Sequence, residues 1–253
     1  MERVILFRDS FQNWKSKEIP KAQLILTDIP YQLGTNAYGS NPMWYEGGDN
    51  SNGESKYAKK EFFDTDSKAG FRIPEFFHFC SNLLKKEPKE KNSAGCMILF
   101  CAWEQQEELI HYAAEYGFKN HQTFIFYKNY SAQVLKANMK IVGATEYGLV
   151  LYRDKLPKFN NNRKMIFNWF EWKRDGKEIP KIPPTQKPVN LLQKLIAIFT
   201  DEGDVVIDPC AGSGSTLLAA AQTGRRGYGF EIKKDFFREA QTKVLARIQK
   251  ALF

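Results

Sequence analysis

At 253 residues, with 43% apolar and 14% aromatic residues against 26% charged ones, the chain suffices for one sizeable core, without room for two full enzymatic domains. Thirty-seven Lys and Arg against 29 Asp and Glu leave a net charge of +8, which favours a polyanionic partner without naming one. Four cysteines (Cys80, Cys96, Cys101, Cys210) without a C-x-x-C pair, three His, and no run near the roughly 18 apolar residues of a membrane span predict reduced, mostly buried thiols, no metal site and a soluble protein.

Val4 to Phe7 is a short apolar run ending at Arg8-Asp9, and Gln23 to Thr27 is a second ending at Asp28. Both predict buried strands that close on a carboxylate. Residues 34–70, rich in Gly, Asn, Ser and charge with interspersed aromatics, predict a long functional loop. Helical spacing of Phe76, Phe77, Cys80, Leu83 and Leu84 predicts a helix over Ile73 to Leu84, and GCMILFCAW (95–103) predicts a central buried strand. A helix over Glu104 to Tyr116, closed by Gly117, precedes a strand over Gln122 to Tyr127. A helix is expected over 132–140, then an edge strand over Tyr147 to Tyr152.

Residues 153–187 differ in character. Lys155, Lys158, Arg163, Lys164, Lys173, Arg174, Lys177 and Lys181 alternate with Phe159, Phe167, Trp169, Phe170 and Trp172. A small nucleic-acid-contacting insertion and a solvated charged face over a small packing surface both fit this pattern; Lys164, Lys173 and Arg174 are the candidate contacts. A helix over about 188–200, a strand over Asp204 to Ile207, a helix to about Gly224, a strand over Gly227 to Ile232 and an amphipathic helix over 234–251 complete the chain. Such alternation implies one α/β domain, 1–253, with a largely parallel, doubly wound, Rossmann-like sheet.

Two strand tips carry chemistry. VVIDPCAGSGSTLLAA reads as strand, glycine turn and helix, so Gly212 and Gly214 let a ligand approach the backbone at a helix start. Asp208 suits a cationic or polyol ligand, and Glu231 at the next strand end suits a ribose diol. Leu217 stands where a dinucleotide fingerprint asks for Gly or Ala, and no G-K-[ST] follows the glycines, which excludes a Walker loop. A turn that merely packs a helix on the sheet remains the plain alternative.

TDIPYQL delivers Asp28 to a turn restricted by Pro30, which also holds Ile29 extended. The Asp28 side chain and the Ile29 carbonyl can then point the same way, as two convergent acceptors for an amino group; an ordinary strand-to-loop turn is the plain alternative. Accepting both N–H hydrogens favours the pyramidal nitrogen whose lone pair can attack a methyl carbon. Tyr31 offers a face on which an extruded base can stack. PPTQKPVNLLQKLI places Thr185, Gln186 and Lys187 in a turn before a helix with an apolar stripe of Leu191, Leu192, Leu195 and Ile196; their polar groups could reach a ligand on the neighbouring strand tips, and an exposed loop is the plain alternative.

The succession DIPY, TQKP, DPCAGSGST and GYGFEI resembles the β-class S-adenosylmethionine-dependent amino-methyltransferases of DNA, the N6-adenine and N4-cytosine family, over nearly the whole chain. The resemblance implies a seven-stranded sheet in permuted order, with Val4 to Phe7 third, Gln23 to Thr27 fourth, and 204–207 and 227–232 first and second. It implies S-adenosyl-L-methionine as cofactor, approached by Asp208, Cys210, Ala211, Gly212, Ser213, Gly214, Ser215 and Thr216. Glu231 would take the ribose hydroxyls and Asp9 the cofactor's adenine, with Thr185, Gln186 and Lys187 flanking.

By the same resemblance Asp28, Ile29, Pro30 and Tyr31 hold the target amino group of a flipped base in double-stranded DNA. Adenine N6 is favoured because Asp stands where cytosine enzymes often carry Ser, and N4 of cytosine is the rival. An inactive DNA-binding relative of the same fold is a third reading. A cytoplasmic protein of prokaryotic or phage origin is implied, with no membrane partner and a homodimer left open. Ile29 departs from the family's usual first proline, which implies a slightly less rigid loop with the main-chain contact kept, and Cys210 departs from its usual aromatic, so packing beside the cofactor is expected to differ.

Overall fold

The computed structural model describes residues 4–30, 71–128, 133–136, 141–162, 164–176, 178–182 and 186–250. Ten strands are seen among them: β1 Val4–Phe7, β2 Leu24–Asp28, β3 Cys96–Cys101, β4 Asn120–Lys128, β5 Gln133–Lys136, β6 Ile141–Gly143, β7 Thr145–Tyr152, β8 Trp169–Trp172, β9 Val205–Asp208 and β10 Arg226–Phe230. The main helices are α1 Ile73–Leu83, α2 Gln106–Glu115, α3 Val189–Phe199, α4 Ser215–Gln222 and α5 Lys234–Glu239, the last running on through a π-helical turn, Ala240–Leu245.

Eight strands form one sheet in the order β1-β10-β9-β2-β3-β7-β4-β8, and β5 and β6 pair separately as an antiparallel hairpin. From β1 to β3 every pairing is parallel, and β7 runs antiparallel to both of its neighbours. The carboxyl ends of β1, β10, β9, β2 and β3 therefore share one edge with the amino end of β7. From β9 the chain proceeds through α4 outward to β10, whereas β2 leads the other way to β3. The crevice between β9 and β2 is a switch point, where open α/β sheets bind their ligands.

Strands buried on both faces explain the continuous apolar runs. Leu24, Leu26, Ile98, Phe100 and Val206 pack beneath α3 and α4, whose Leu191, Leu195, Leu217 and Ala220 meet them. On the opposite face Ile25, Met97, Leu99 and Ile207 meet Phe76, Phe77 and Cys80 of α1 and Leu109 of α2. Proline at the start of α3 offers no capping side chain, and the Asp175 carboxylate fills the role by accepting from the N–H of Val189 at 2.9 Å.

Three expectations need correction. The sheet has eight strands where seven were expected, because WFEW pairs parallel with β4: Phe170 lies against Phe124 and Phe126, and Trp172 is buried. Part of the basic aromatic stretch thus belongs to the core. The strand over 147–152 begins earlier and is interior, between β3 and β4, with β8 taking the edge. The helix expected over 132–140 is replaced by the β5–β6 hairpin, whose β-branched Val134, Ile141 and Val142 suit strands better than a helix. The loop at 34–70, Tyr31 and Thr185 lie outside the described residues. Among the described residues no helix is long and apolar enough to cross a membrane.

Candidate active site

At the switch point the two acidic strand tips touch. Thr27, one residue before Asp28, donates its hydroxyl to Asp208 Oδ1 at 2.6 Å, and the Cys210 N–H reaches the same oxygen at 3.0 Å. The Asp208 carboxylate is buried and meets hydroxyls and N–H groups, Thr216 included. Burial pushes it up to about 6, against the pull of those hydrogen bonds.

The turn beyond it is set by main-chain bonds. The Ala211 N–H reaches the Phe230 carbonyl at 2.8 Å, and the Gly214 N–H reaches the Ala211 carbonyl at 2.7 Å. Gly212 and Gly214 hold φ of 51° and 77°, a region that L side chains rarely occupy. A Cβ on Gly212 would meet nothing nearer than the Cys210 carbonyl oxygen at 4.0 Å, so the main chain there is open to a ligand. Ser213 and Ser215 share a buried hydroxyl contact of 2.6 Å.

Glu231 follows β10. Its carboxylate accepts from the Lys233 N–H at 2.7 Å and from the Gly212 N–H, and burial pushes it up to about 7. Asp9, beyond β1, is held by Asn13 at 2.7 Å, Lys17 at 2.9 Å and the Ser10 N–H at 2.8 Å, and the Asn13 and Lys17 contacts keep it below the usual carboxylate range.

The Asp28 tip is built from charge. Lys187 Nζ stands 2.6 Å from Asp28 Oδ2 and 3.3 Å from Glu146 Oε2, and Lys128 pairs with the same Glu146. Glu146 and Lys128 come together because β7 runs antiparallel to β4, with Phe126 opposite Glu146. The Lys187 ammonium also lies 5.3 Å from the ring centre of Phe100 and 5.6 Å from that of Trp172, within cation–π range. Burial works against its charge, but Asp28 and Glu146 outweigh it and hold Lys187 above the usual lysine value. Glu146, likewise desolvated, is held below the usual carboxylate range by Lys187 and Lys128.

The loop after Asp28 is pinned to β3 by its main chain. The Ile29 N–H reaches the Phe100 carbonyl at 3.3 Å, and Gln105 Nε2 donates to the Pro30 carbonyl at 3.1 Å while its Oε1 accepts from the Ala102 N–H at 3.2 Å.

Asp9, Asp28, Ile29, Pro30, Asp208, the glycine turn and Glu231 thus stand along one sheet edge, with Lys187 among them. Gln186 instead staples its own loop, bonding the Ile182 N–H at 2.9 Å and the Pro180 carbonyl at 3.1 Å. Lys173 is paired with Glu171 at 3.0 Å, and Lys164 is exposed. Sequence reasoning passed over Thr27, Gln105, Lys128 and Glu146. A charged residue flanking each of the apolar runs YGLVLY and FIFY was the signal for Glu146 and Lys128.

An open, mostly parallel sheet with a glycine turn at its switch point and an acidic D-x-P tip beside it suits the binding of a nucleotide-like ligand. The chain matches the DNA methylase family model N6_N4_Mtase over residues 22–242 and belongs to that family. It is 33% identical to YubD of Escherichia coli K12 over 156 residues, 62% of this chain and 64% of YubD, so the match spans less than two thirds of that relative. The DNA adenine methyltransferase YhdJ of the same organism is 24% identical over 256 residues, 93% of this chain and 80% of YhdJ.

Among solved structures, M1.HpyAVI in complex with SAM superposes with a TM-score of 0.64 at 21% identity, covering 95% of this chain and 99% of that one. PvuII DNA methyltransferase (cytosine-N4-specific) gives 0.67 at 15% identity, covering 99% and 91%. Both share the fold, Rossmann-like and mostly parallel.

Proposed function

We propose that the protein transfers the methyl group of S-adenosyl-L-methionine to an exocyclic amino group in double-stranded DNA, N6 of a flipped adenine. The observation that carries this is the direct Thr27–Asp208 bond of 2.6 Å, which sets a glycine-turn ligand site beside the D-I-P loop. YhdJ, named a DNA adenine methyltransferase and aligned over 93% of this chain, supports adenine, as does Asp rather than Ser at position 28.

The residues fit the cofactor. Open main chain at Gly212 accommodates its methionine portion, and Gly214, in the left-handed region, turns the chain into the helix, with Cys210, Ala211, Ser213, Ser215 and Thr216 completing the turn around Asp208. Asp208 and Glu231, both raised by burial, favour ionisation once donors arrive from an ammonium or a ribose diol. Asp9 is assigned to the cofactor's adenine, and Thr185 and Gln186 to its flank. When bound, the cofactor supplies a methyl group on a positively charged sulfur.

Asp28 and the Ile29 carbonyl accept the two N–H hydrogens of the target amine, which localises its lone pair and aims it at the methyl carbon. Gln105 and Pro30 hold that loop to β3, and Tyr31 stacks on the base. As the C–N bond forms and the methyl–sulfur bond breaks with its electron pair left on sulfur, positive charge would grow on nitrogen beside the Asp28 carboxylate, which would stabilise it until a proton departs to water. The stretch 153–187, with Lys164, Lys173 and Arg174, and the loop 34–70 contact the duplex.

The test is incubation with tritiated cofactor and duplex DNA, followed by digestion and mass identification of the labelled nucleoside. N6-methyladenosine in its deoxy form is expected. Label on cytosine N4 overturns the base assignment, and DNA without label overturns the function.

A further inference from the structure

We propose that Glu146 is a positioning residue: by sharing Lys187 with Asp28, it sets how far Asp28 is available to the target amino group. The proposal rests on the amino-methyltransferase reading above. Four charges stand in a row, Asp28, Lys187, Glu146 and Lys128, with Lys187 Nζ at 2.6 Å from the first carboxylate and 3.3 Å from the second. Their formal sum is zero.

The row has a consequence for the reaction. Lys187 occupies Asp28 Oδ2, and an ammonium fixed there competes with an incoming N–H donor and opposes the positive charge that grows on the attacked nitrogen. Removing Lys187 from Asp28 into a desolvated space with no other anion would be costly. Glu146 supplies that anion. Phe100 and Trp172 flank the ammonium at 5.3 and 5.6 Å, so its low-energy travel runs between the two carboxylates. Lys128, over the Trp172 ring at 4.7 Å and paired with Glu146, keeps Glu146 ionised and in place.

Glu146→Gln retains the shape and removes the charge, so that of the two carboxylates only Asp28 still attracts Lys187. In single-turnover assays on the full chain at saturating S-adenosyl-L-methionine and duplex DNA, we expect the transfer rate to fall about tenfold or more, with both Kd values at their wild-type level. In a Lys187→Gln background the same substitution should change nothing further, because no ammonium remains to be positioned. A rate for Glu146→Gln equal to wild type, or losses that add in the double variant, overturns the proposal. Should melting reveal that Glu146→Gln is unfolded, Glu146→Asp replaces it: an intermediate loss that vanishes in the Lys187→Gln background supports the proposal, and an additive loss overturns it. A wild-type protein that labels no DNA overturns the function itself; an active wild type with an indifferent Glu146→Gln overturns this inference alone.

Discussion

Asp28 and Asp208 end neighbouring strands of one sheet and are joined through Thr27, yet their surroundings are opposite. Asp208 is surrounded by hydroxyls and N–H groups and is pushed up to about 6 by burial. Asp28 faces the buried ammonium of Lys187 at 2.6 Å. A carboxylate held by neutral donors gains when a ligand brings further donors or a positive charge. One already facing a cation must share it before it can serve anything else. The same side chain at the same position in a strand therefore suits ligand capture in one case and orientation of a reacting amine in the other.

The largest effect should follow from Asp28→Ala, which removes the acceptor proposed for the target amine: methyl transfer in a tritium assay should fall about a hundredfold or more. A rate near wild type would erase the distinction between the tips. Next comes Glu231. With its carboxyl raised to about 7 in the free protein, the hydroxyl donors of a ribose would favour the ionised form, so binding should release a proton below that pH. Cofactor affinity measured by calorimetry should then tighten as pH rises from 6 to 8, and Glu231→Gln should flatten the part of this dependence centred near 7. The sign for stability is the reverse: a carboxyl raised on folding contributes stability that is full below its unfolded value and is lost as pH rises, here from 4.5 to about 7. Thermal melting of the ligand-free protein should report that loss, smaller in Glu231→Gln.

Smaller effects test the joints. Gly214 at φ 77° would place an alanine Cβ 3.4 Å from Ala240 and Leu245, so Gly214→Ala should cost about 1 kcal/mol in denaturant titration, chiefly through the left-handed backbone. Thr27→Val severs the direct bond between the tips and should weaken cofactor binding by about 1 kcal/mol, the worth of one hydrogen bond. Least is expected of Lys173→Ala with Arg174→Ala, because Lys173 already pairs with Glu171; phosphate contacts there would flatten the salt dependence of DNA binding by about one to two slope units. An unchanged slope assigns those residues to a solvated face.

The strand tips were legible in sequence because each combines a local constraint with a buried run: Pro30 beside Asp28, and two glycines after Asp208. Order was legible for the same reason, since each motif fixes a strand end, and the permuted succession arranges five parallel strands. What escaped depended on pairing across the sheet. WFEW is dominated by its basic surroundings, and only its register with β4 makes it a strand. Glu146 and Lys128 belong to no motif and lie 18 residues apart. Antiparallel pairing of β4 with β7 places them behind Lys187, which the TQKP turn alone would assign to the cofactor.

The separation of the two tips can be tested in one experiment, titrating S-adenosyl-L-methionine into Asp28→Ala and Asp208→Asn and following methyl transfer to duplex DNA in the same preparations. The expected result is that Asp28→Ala binds cofactor as the wild type does and transfers almost nothing, whereas Asp208→Asn binds cofactor weakly and recovers transfer as the cofactor concentration is raised. Equal loss of binding and transfer in both variants would contradict the account.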